Sequence, residues 1–533
     1  MIVLNFTLST LLMILIPVIL AGLLRRRFQI PWILFAIGTL TFIASQVVHI
    51  PLNDLLMRMH ILPKTGLDEP GFPLVQTALV LGLTAGLCEE TARAVGFFFM
   101  KKFRGLEDGV MVGLGHGGVE AMIFGGVQVA AAASSLIPMI GTDLSALKLT
   151  PEQLTMLNTQ MNSMATAPFI AAFAPLLERL LAMLLHVILS VMVLQAFRRR
   201  NGWYYLVAVA YHMLVDAGAV YIMQTTGDIA LVYLALVAVL LPGLVWLVLT
   251  WRKEARPTPV YPQPVRVDLG IFAAAVRKEL VQQWRTRRLL VVMTVFLLFG
   301  LTSPLVAKFT PEIVKSIAGA EQFANLIPTP TPADAMTQYV KNITQFGFML
   351  AVLLGMNAVA GEKESGTAAM ILSKPMPRWA FVLSKFSAQS LVYLLAFAVA
   401  GVGAYYYTVI LFGSLDALIF LDINLLLLLW LLIFVGAALL GSVIGSTVAS
   451  AAGVGLGISI ALLLAGSIPQ VGMLMPSGLL AWASVLGANA VAAPLPAASS
   501  ATSMINGGAV AAGLVLIVLC LLWSVALFER QEL

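Results

Sequence analysis

Long apolar runs separated by short polar stretches make up this chain from end to end. The runs are about 20 residues long, enough for a helix to cross the roughly 30 Å hydrocarbon layer of a bilayer. No segment shows the alternating pattern of a membrane β-strand. The pattern predicts about thirteen transmembrane helices. Seven lie near residues 3–24, 31–50, 73–100, 105–134, 165–197, 203–222 and 228–251, and six near 289–307, 343–360, 386–412, 417–447, 452–474 and 505–528. The expected fold class is an all-α, polytopic membrane protein of two helical-bundle domains. Between the two sets of helices runs RKEARPTPVYPQPVRVD, whose four prolines in eight residues exclude a helix and favour extended chain. The chain is therefore read as a first domain at 1–251, a proline-rich cytoplasmic linker at 252–267 and a second domain at 268–533.

Composition agrees: 60% of residues are hydrophobic and 11% charged, far outside the soluble range. The net charge of +6 invites a nucleic-acid partner, but the placement of the basic residues removes the need for one. If the helices alternate direction, 23 of the 31 Lys and Arg fall in cytoplasmic loops, six outside and two within the membrane. The positive-inside rule accounts for this bias. The first helix has no basic residue before it and Arg25, Arg26 and Arg27 behind it, the reverse of a signal peptide. It is expected to remain as an anchor in the inner (plasma) membrane, with the N-terminus outside and the C-terminus cytoplasmic. Cys88 and Cys520 lie in distant helices and suggest neither a disulfide framework nor a thiolate metal site.

Charge inside the membrane is costly and marks function. The first half carries Glu89, Glu90, Arg93, His116, Glu120, Glu178, Arg179, His186, His212 and Asp216 within its spans, while the central portions of the second six are free of charge. Glu89 and Arg93, His116 and Glu120, and His212 and Asp216 are each four apart, so each pair shares a helix face. Counted from the cytoplasmic helix ends, Glu89, His116, His186 and His212 all fall roughly 14–16 Å deep. Four helices thus present imidazoles and carboxylates in one plane. Such a layer suits a zinc site with an open position for water, and Glu89 or Glu90 suits the general base. Arg93 offsets the adjacent glutamates or stabilises developing charge. Interhelical hydrogen bonding and a proton or cation pathway are the other readings of the same residues. His49 and His60 are read as ordinary residues at or beyond the outer membrane edge.

The motifs EETAR (Glu89 to Arg93), GLGHGGVE (Gly113 to Glu120), ERLLAMLLH (Glu178 to His186) and YHMLVD (Tyr211 to Asp216), in this order on successive helices, resemble the YhfC group of intramembrane metalloproteases. That group is distantly similar to the type II CAAX prenyl proteases, whose motif has three residues between its second Glu and its Arg, where this chain has only Thr91 and Ala92. The resemblance covers about residues 1–250. It implies Glu89 and Glu90 as catalytic carboxylates beside Arg93, and His116, His186 and His212 as metal-site residues that Glu120 and Asp216 complete or orient.

In the second half, DLGIFAAAVRKELVQQWRTRR puts Phe272, Val276, Leu280 and Trp284 on one face of a basic helix, as expected of a helix lying in the membrane interface. The loop from Gly361 to Phe386 reads GEKESGTAAMILSKPMPRWAFVLSKF. Together these resemble the permease subunits of type 2 ABC exporters over about residues 268–533. In that family the corresponding loop meets the ATPase, which implies Glu362, Glu364, Gly366 and Thr367 as partner contacts. Gly361 to Thr367 is not a phosphate loop, because Thr directly follows its second Gly where Lys and then Ser or Thr are required. With no ATPase site in the chain, export needs a separate ABC ATPase, and six spans imply a homodimer or a second permease chain. The expectation is an ABC export permease fused to an intramembrane zinc metalloprotease, acting on a peptide or lipid-linked cargo. Its rival is a pure transporter whose first half is a non-catalytic ion-coupling or scaffold module.

Overall fold

The computed structural model describes residues 2–62, 71–137, 140, 151–166, 169–254, 269–315, 329–413, 415–468, 471–489 and 500–532. The proline-rich linker beyond Glu254, Lys64, Lys148, the start of IPTPTPAD and the middle of the stretch from Pro476 to Met504 lie outside them. Among the described residues, thirteen helices are long and apolar enough to cross a membrane, and the fold is all-helical. The chain forms two compact units, one of residues 1–129 and 167–264 and one of residues 130–166 and 265–533. The segment 130–166, which interrupts the first half in sequence, groups with the second unit.

The first unit begins with α1 (Ile2–Phe28), α2 (Ile33–Arg58), α3 (Phe72–Phe99) and α4 (Leu106–Glu120). The Gly105 N–H starts α4 by donating to Asp108 Oδ2 at 2.8 Å, satisfying one of the free donors of a helix N-terminus. Beyond Glu120 the helix passes through a π-helical turn, Ala121–Val127, into α5 (Gln128–Leu136). Such turns often sit at functional sites, because they rotate the residues on either side out of simple register. Helices α7 (Ala174–Arg198), α8 (Trp203–Thr226) and α9 (Ile229–Glu254) complete the first unit, whereas α6 (Pro151–Thr166) and α5 from residue 130 onward group with the second. Gly227, in the left-handed region at φ +64°, ends α8 by donating to Met223 O at 2.9 Å.

Two glycines decide how closely α4 is held. A Cβ on Gly115 would stand 2.1 Å from the Phe35 carbonyl oxygen of α2, and one on Gly113 2.5 Å from Val187 Cα of α7. Neither position has room for a side chain. With lipid as apolar as the helices, close backbone approach of this kind is what holds membrane helices together. It also carries His116, the residue after Gly115, into the middle of the unit, where it is fully buried.

The second unit contains α10 (Leu269–Arg285), α11 (Arg288–Lys315), α12 (Pro332–Gly355), α13 (Ala360–Glu364), α14 (Thr367–Leu372), α15 (Arg378–Phe412), α16 (Ala417–Ile444), α17 (Val448–Ala465), α18 (Pro476–Asn489) and α19 (Ser500–Phe528). Helix α16 is central and packs against α12, α17, α18 and α19. Its Trp430 and Phe434 join Phe296, Tyr393 and Phe397 of neighbouring helices in the core. Helices α6 and α18 are absent from the hydropathy reading, and the span expected to reach 474 ends at Ala465. In α10 the buried residues are Ala275, Glu279 and Gln283, while Trp284 is exposed. The packed face carries Glu279, 3.0 Å from the buried ammonium of Lys385, and leaves Trp284 of the apolar stripe on the outside.

Candidate metal site in the first unit

Helix α3 supplies Glu89, Glu90 and Arg93, α4 supplies His116 and Glu120, α7 supplies Arg179 and His186, and α8 supplies His212 and Asp216. The residues that the sequence singles out on four separate helices meet. Glu89 is the hub. One of its oxygens, Oε2, lies 3.0 Å from His116 Nε2, 3.9 Å from His186 Nδ1, 4.0 Å from His212 Nε2 and 3.4 Å from Arg93 Nη2. The other, Oε1, accepts from Gln46 Nε2 at 3.2 Å. Glu90 pairs with Arg93 and accepts from His212 Nδ1 at 2.8 Å. His186 contacts Arg93 through Nδ1 and Glu120 through Nε2. Glu120 also pairs with Arg179 at 3.1 Å, and Arg179 with Glu178. Asp216, partly exposed, lies 3.4 Å from His212 Nε2.

Hydrogen-bond roles follow from the partners. Glu89 and Glu90 can only accept, so His116 donates from Nε2 to Glu89 Oε2 at 3.0 Å and His212 donates from Nδ1 to Glu90 at 2.8 Å. Thr41 Oγ1 lies 2.9 Å from His116 Nδ1. Neutral His212 then turns an unprotonated Nε2 toward Glu89 Oε2, 4.0 Å away, and Arg93 Nη2 donates to the same oxygen at 3.4 Å.

The donor set fits a metal ion. Glu89, His186 and His212 are all buried and each offers a ligand atom within 4.8 Å of the others. In a tetrahedral zinc site with bonds of about 2.0–2.1 Å, ligand atoms stand about 3.4 Å apart. The spacings of 3.9 and 4.0 Å from Glu89 Oε2, within a set that spans up to 4.8 Å, would have to contract to reach it. The Nδ1–H of His212 held by Glu90 is the carboxylate–histidine pairing that orients metal-binding imidazoles.

A cavity of about 330 Å³ opens beside this cluster, lined by Glu89, Glu120, Glu178, Arg179, His186, His212 and Asp216. Gln46, His49 and Asn53 of α2 also line it. This corrects the reading of His49 as an ordinary interfacial residue: α2 runs to Arg58, so His49 sits well inside the helix and faces the cavity wall. His60 stays outside the site, beyond the end of α2. Gln46, His49, Asn53 and Thr41 are the site residues that sequence reasoning missed. A signal was present, since Gln46, His49 and Asn53 are spaced i, i+3, i+7 on one helix face.

In the second unit the loop residues part company. Glu362 is buried, with Oε1 2.8 Å from Lys278 Nζ and Oε2 2.9 Å from Lys385 Nζ. Glu279 joins the same two lysines at 2.8 and 3.0 Å, which closes a four-membered charge network between α10, α13 and α15. Glu364 Oε2 accepts from Val448 N at 2.9 Å, at the start of α17. Gly366 adopts φ +69°, and Thr367 Oγ1 bonds Ser365 Oγ at 2.6 Å.

Two relatives from Bacillus subtilis (strain 168) share sequence with this chain. The uncharacterized transmembrane protein YxlG is 29% identical over 184 residues, which are 34% of this chain and 71% of YxlG. The uncharacterized membrane protein YhfC is 24% identical over 208 residues, 39% of this chain and 79% of YhfC. Residues 12–241 match the YhfC intramembrane metalloprotease family, and residues 273–533 match the ABC-2 family transporter proteins. The chain is a fusion of a YhfC-like membrane domain and an ABC-2 permease domain. It is a multi-pass membrane protein. Membership of the ABC-2 permease family implies an ABC ATPase as partner of the permease domain. The buried cluster around Glu89 lies wholly within the YhfC-like domain, and the Lys278–Glu279–Glu362–Lys385 network wholly within the permease domain.

Proposed function

We propose that the YhfC-like domain is a membrane-embedded zinc metalloprotease and that the permease domain, driven by a separate ABC ATPase, exports the peptide or lipid-linked cargo that the first domain cuts or recognises. One observation carries the enzymatic half: buried Glu89, His186 and His212, from three separate helices, each bring a ligand atom within 4.8 Å of the others. Glu89, His186 and His212 hold the ion in this reading, one carboxylate and two imidazoles with a fourth position left for water. Bound zinc supplies a Lewis acid and a water acidic enough to attack at neutral pH. The roles then differ from those implied by resemblance. Glu89 is a ligand rather than the base. Glu90, fully buried and absent from the cavity wall, fixes the tautomer and direction of His212. Arg93 neutralises the adjacent glutamates. Glu120 lines the cavity beside Arg179 and His186, and in this reading it would take the proton of the attacking water. His116 holds Glu89 by donating to its Oε2, and Asp216 stands 3.4 Å from the His212 nitrogen that faces the ion.

The placement of Lys and Arg supports an inner-membrane orientation with the N-terminus outside and the C-terminus cytoplasmic. Six permease spans support a dimer or a second permease chain.

The rival, a non-catalytic scaffold or ion-coupling domain, is favoured by Arg93, whose guanidinium already contacts Glu89, Glu90 and His186 as a resident cation. Metal analysis of the purified chain separates the two. The enzyme reading expects about one zinc per chain, lost in His186→Ala and in His212→Ala. A metal-free wild-type chain that still supports transport sinks it in favour of the scaffold.

A further inference from the structure

Helix α2 presents Gln46, His49 and Asn53 along one wall of the cavity. Seven residues at 1.5 Å each make this stripe about 10 Å long, starting at Glu89, which Gln46 touches. The side chains are already ordered among themselves. Thr84 Oγ1 donates to Asn53 Oδ1 at 2.8 Å, and Asn53 Nδ2 donates to His49 Nε2 at 3.0 Å. His49 therefore accepts at Nε2, and its neutral ring carries the proton on Nδ1. Among the described residues neither this Nδ1–H nor Gln46 Oε1 has a hydrogen-bond partner. The wall thus offers one free donor and one free acceptor, about one helical turn apart, beside a candidate metal site.

A peptide entering a membrane-embedded cavity must satisfy each N–H and C=O that leaves its own helix, because lipid supplies no partner. An extended chain advances about 3.3 Å per residue, so the stripe matches about three residues. Leu181, Leu185 and Leu236 also line the cavity, beside the charged Glu178, Arg179 and Asp216, and suit apolar side chains. We propose that the α2 stripe is a peptide-backbone subsite: His49 Nδ1–H donates to a substrate carbonyl, Gln46 Oε1 accepts a substrate N–H, and an extended apolar segment of about three residues lies between α2 and the leucines. The proposal rests on the metalloprotease reading and names its substrate class as an unwound apolar peptide.

The test uses the zinc-loaded full chain in detergent and three probes. These are acetohydroxamate, which only chelates, tri-leucine hydroxamate, which adds a backbone, and the same tripeptide methylated on its backbone nitrogens. On the wild type, tri-leucine hydroxamate binds at least tenfold more tightly than acetohydroxamate, and methylation removes most of that gain. In His49→Leu the tripeptide loses about tenfold, the scale of a hydrogen bond lost from a dry site, while acetohydroxamate binds as before. Equal binding of the methylated and unmethylated tripeptides, or an unchanged tripeptide affinity in His49→Leu, overturns the subsite and leaves the metal site standing. Failure of acetohydroxamate to bind the wild type overturns the metal reading, and the subsite with it.

Discussion

At the scale of single residues, the site works by division of labour between two adjacent glutamates. Glu89 faces the cavity and three imidazoles, whereas Glu90 is sealed behind it against Arg93 and the far side of His212. Outer-shell carboxylates of this kind typically alter metal affinity by 10–100-fold when removed. Glu90→Gln is therefore expected to weaken zinc binding by roughly that factor, measured by competition with a chelator, while the chain stays folded. An unchanged affinity would show that His212 is oriented by something else. The histidines and glutamates themselves were legible in the sequence, because charge within a bilayer is rare enough to stand out. Their division into ligand and support was not, since adjacent positions on a helix point about 100° apart and only the neighbouring helices decide which one meets the cavity. The α2 stripe escaped notice for the opposite reason: uncharged Gln46 and Asn53 raise no alarm in an apolar run.

At the scale of helices, the glycines of α4 set the distances on which the site depends. Gly115→Ala forces a methyl against the Phe35 carbonyl, and overpacking of this sort costs about 1–3 kcal/mol. The expected result is a lower melting temperature in detergent together with reduced zinc content, since His116 moves with α4. Normal stability and full zinc would show that the helices separate freely. The permease domain has its own locked element in the charge network of Lys278, Glu279, Glu362 and Lys385. Lys385 is buried and Lys278 is 41% exposed at its side chain, so removing them should not cost the same. Lys385→Met leaves two buried carboxylates short of charge and is expected to destabilise by about 3–5 kcal/mol. Lys278→Met should cost clearly less in the same thermal unfolding measurement, and equal losses would contradict this account. Burial pulls the Lys278 ammonium down, but Glu279 and then Glu362 more than offset it, and its pKa lies above the ordinary lysine value. A raised lysine stabilises fully below its unfolded value and loses that contribution only as pH rises through the folded one. This contact should therefore be indifferent to pH across the neutral range and weaken only in strong alkali. Spans and their number were readable from hydropathy, whereas α6 and α18 were not, being respectively too polar and too short for that signal.

At the scale of the whole molecule, the permease must meet an ATPase, and the geometry refines where. Glu362, expected at that contact, is spent inside the fold, whereas Gly366 and Glu364 are exposed at the turn between α13 and α14. Gly366 sits at φ +69°, a conformation strained for any residue with a side chain. Gly366→Val is expected to abolish stimulation of the partner ATPase without removing the chain from the membrane. Full stimulation by that variant would place the contact elsewhere. The domain order was visible in the proline-rich stretch and the two sets of motifs. The grouping of 130–166 with the second unit was not, because a contact between segments far apart leaves no local trace in composition. That grouping has a practical corollary. The polypeptide passes between its two units at 129/130, at 166/167 and again near 264/265, so the proline-rich stretch is not a clean cleavage point. An expression clone ending there would carry 37 residues from 130 to 166 torn from their packing partners. Dissecting this fusion calls for replacing that excursion with a short tether, rather than for a single cut.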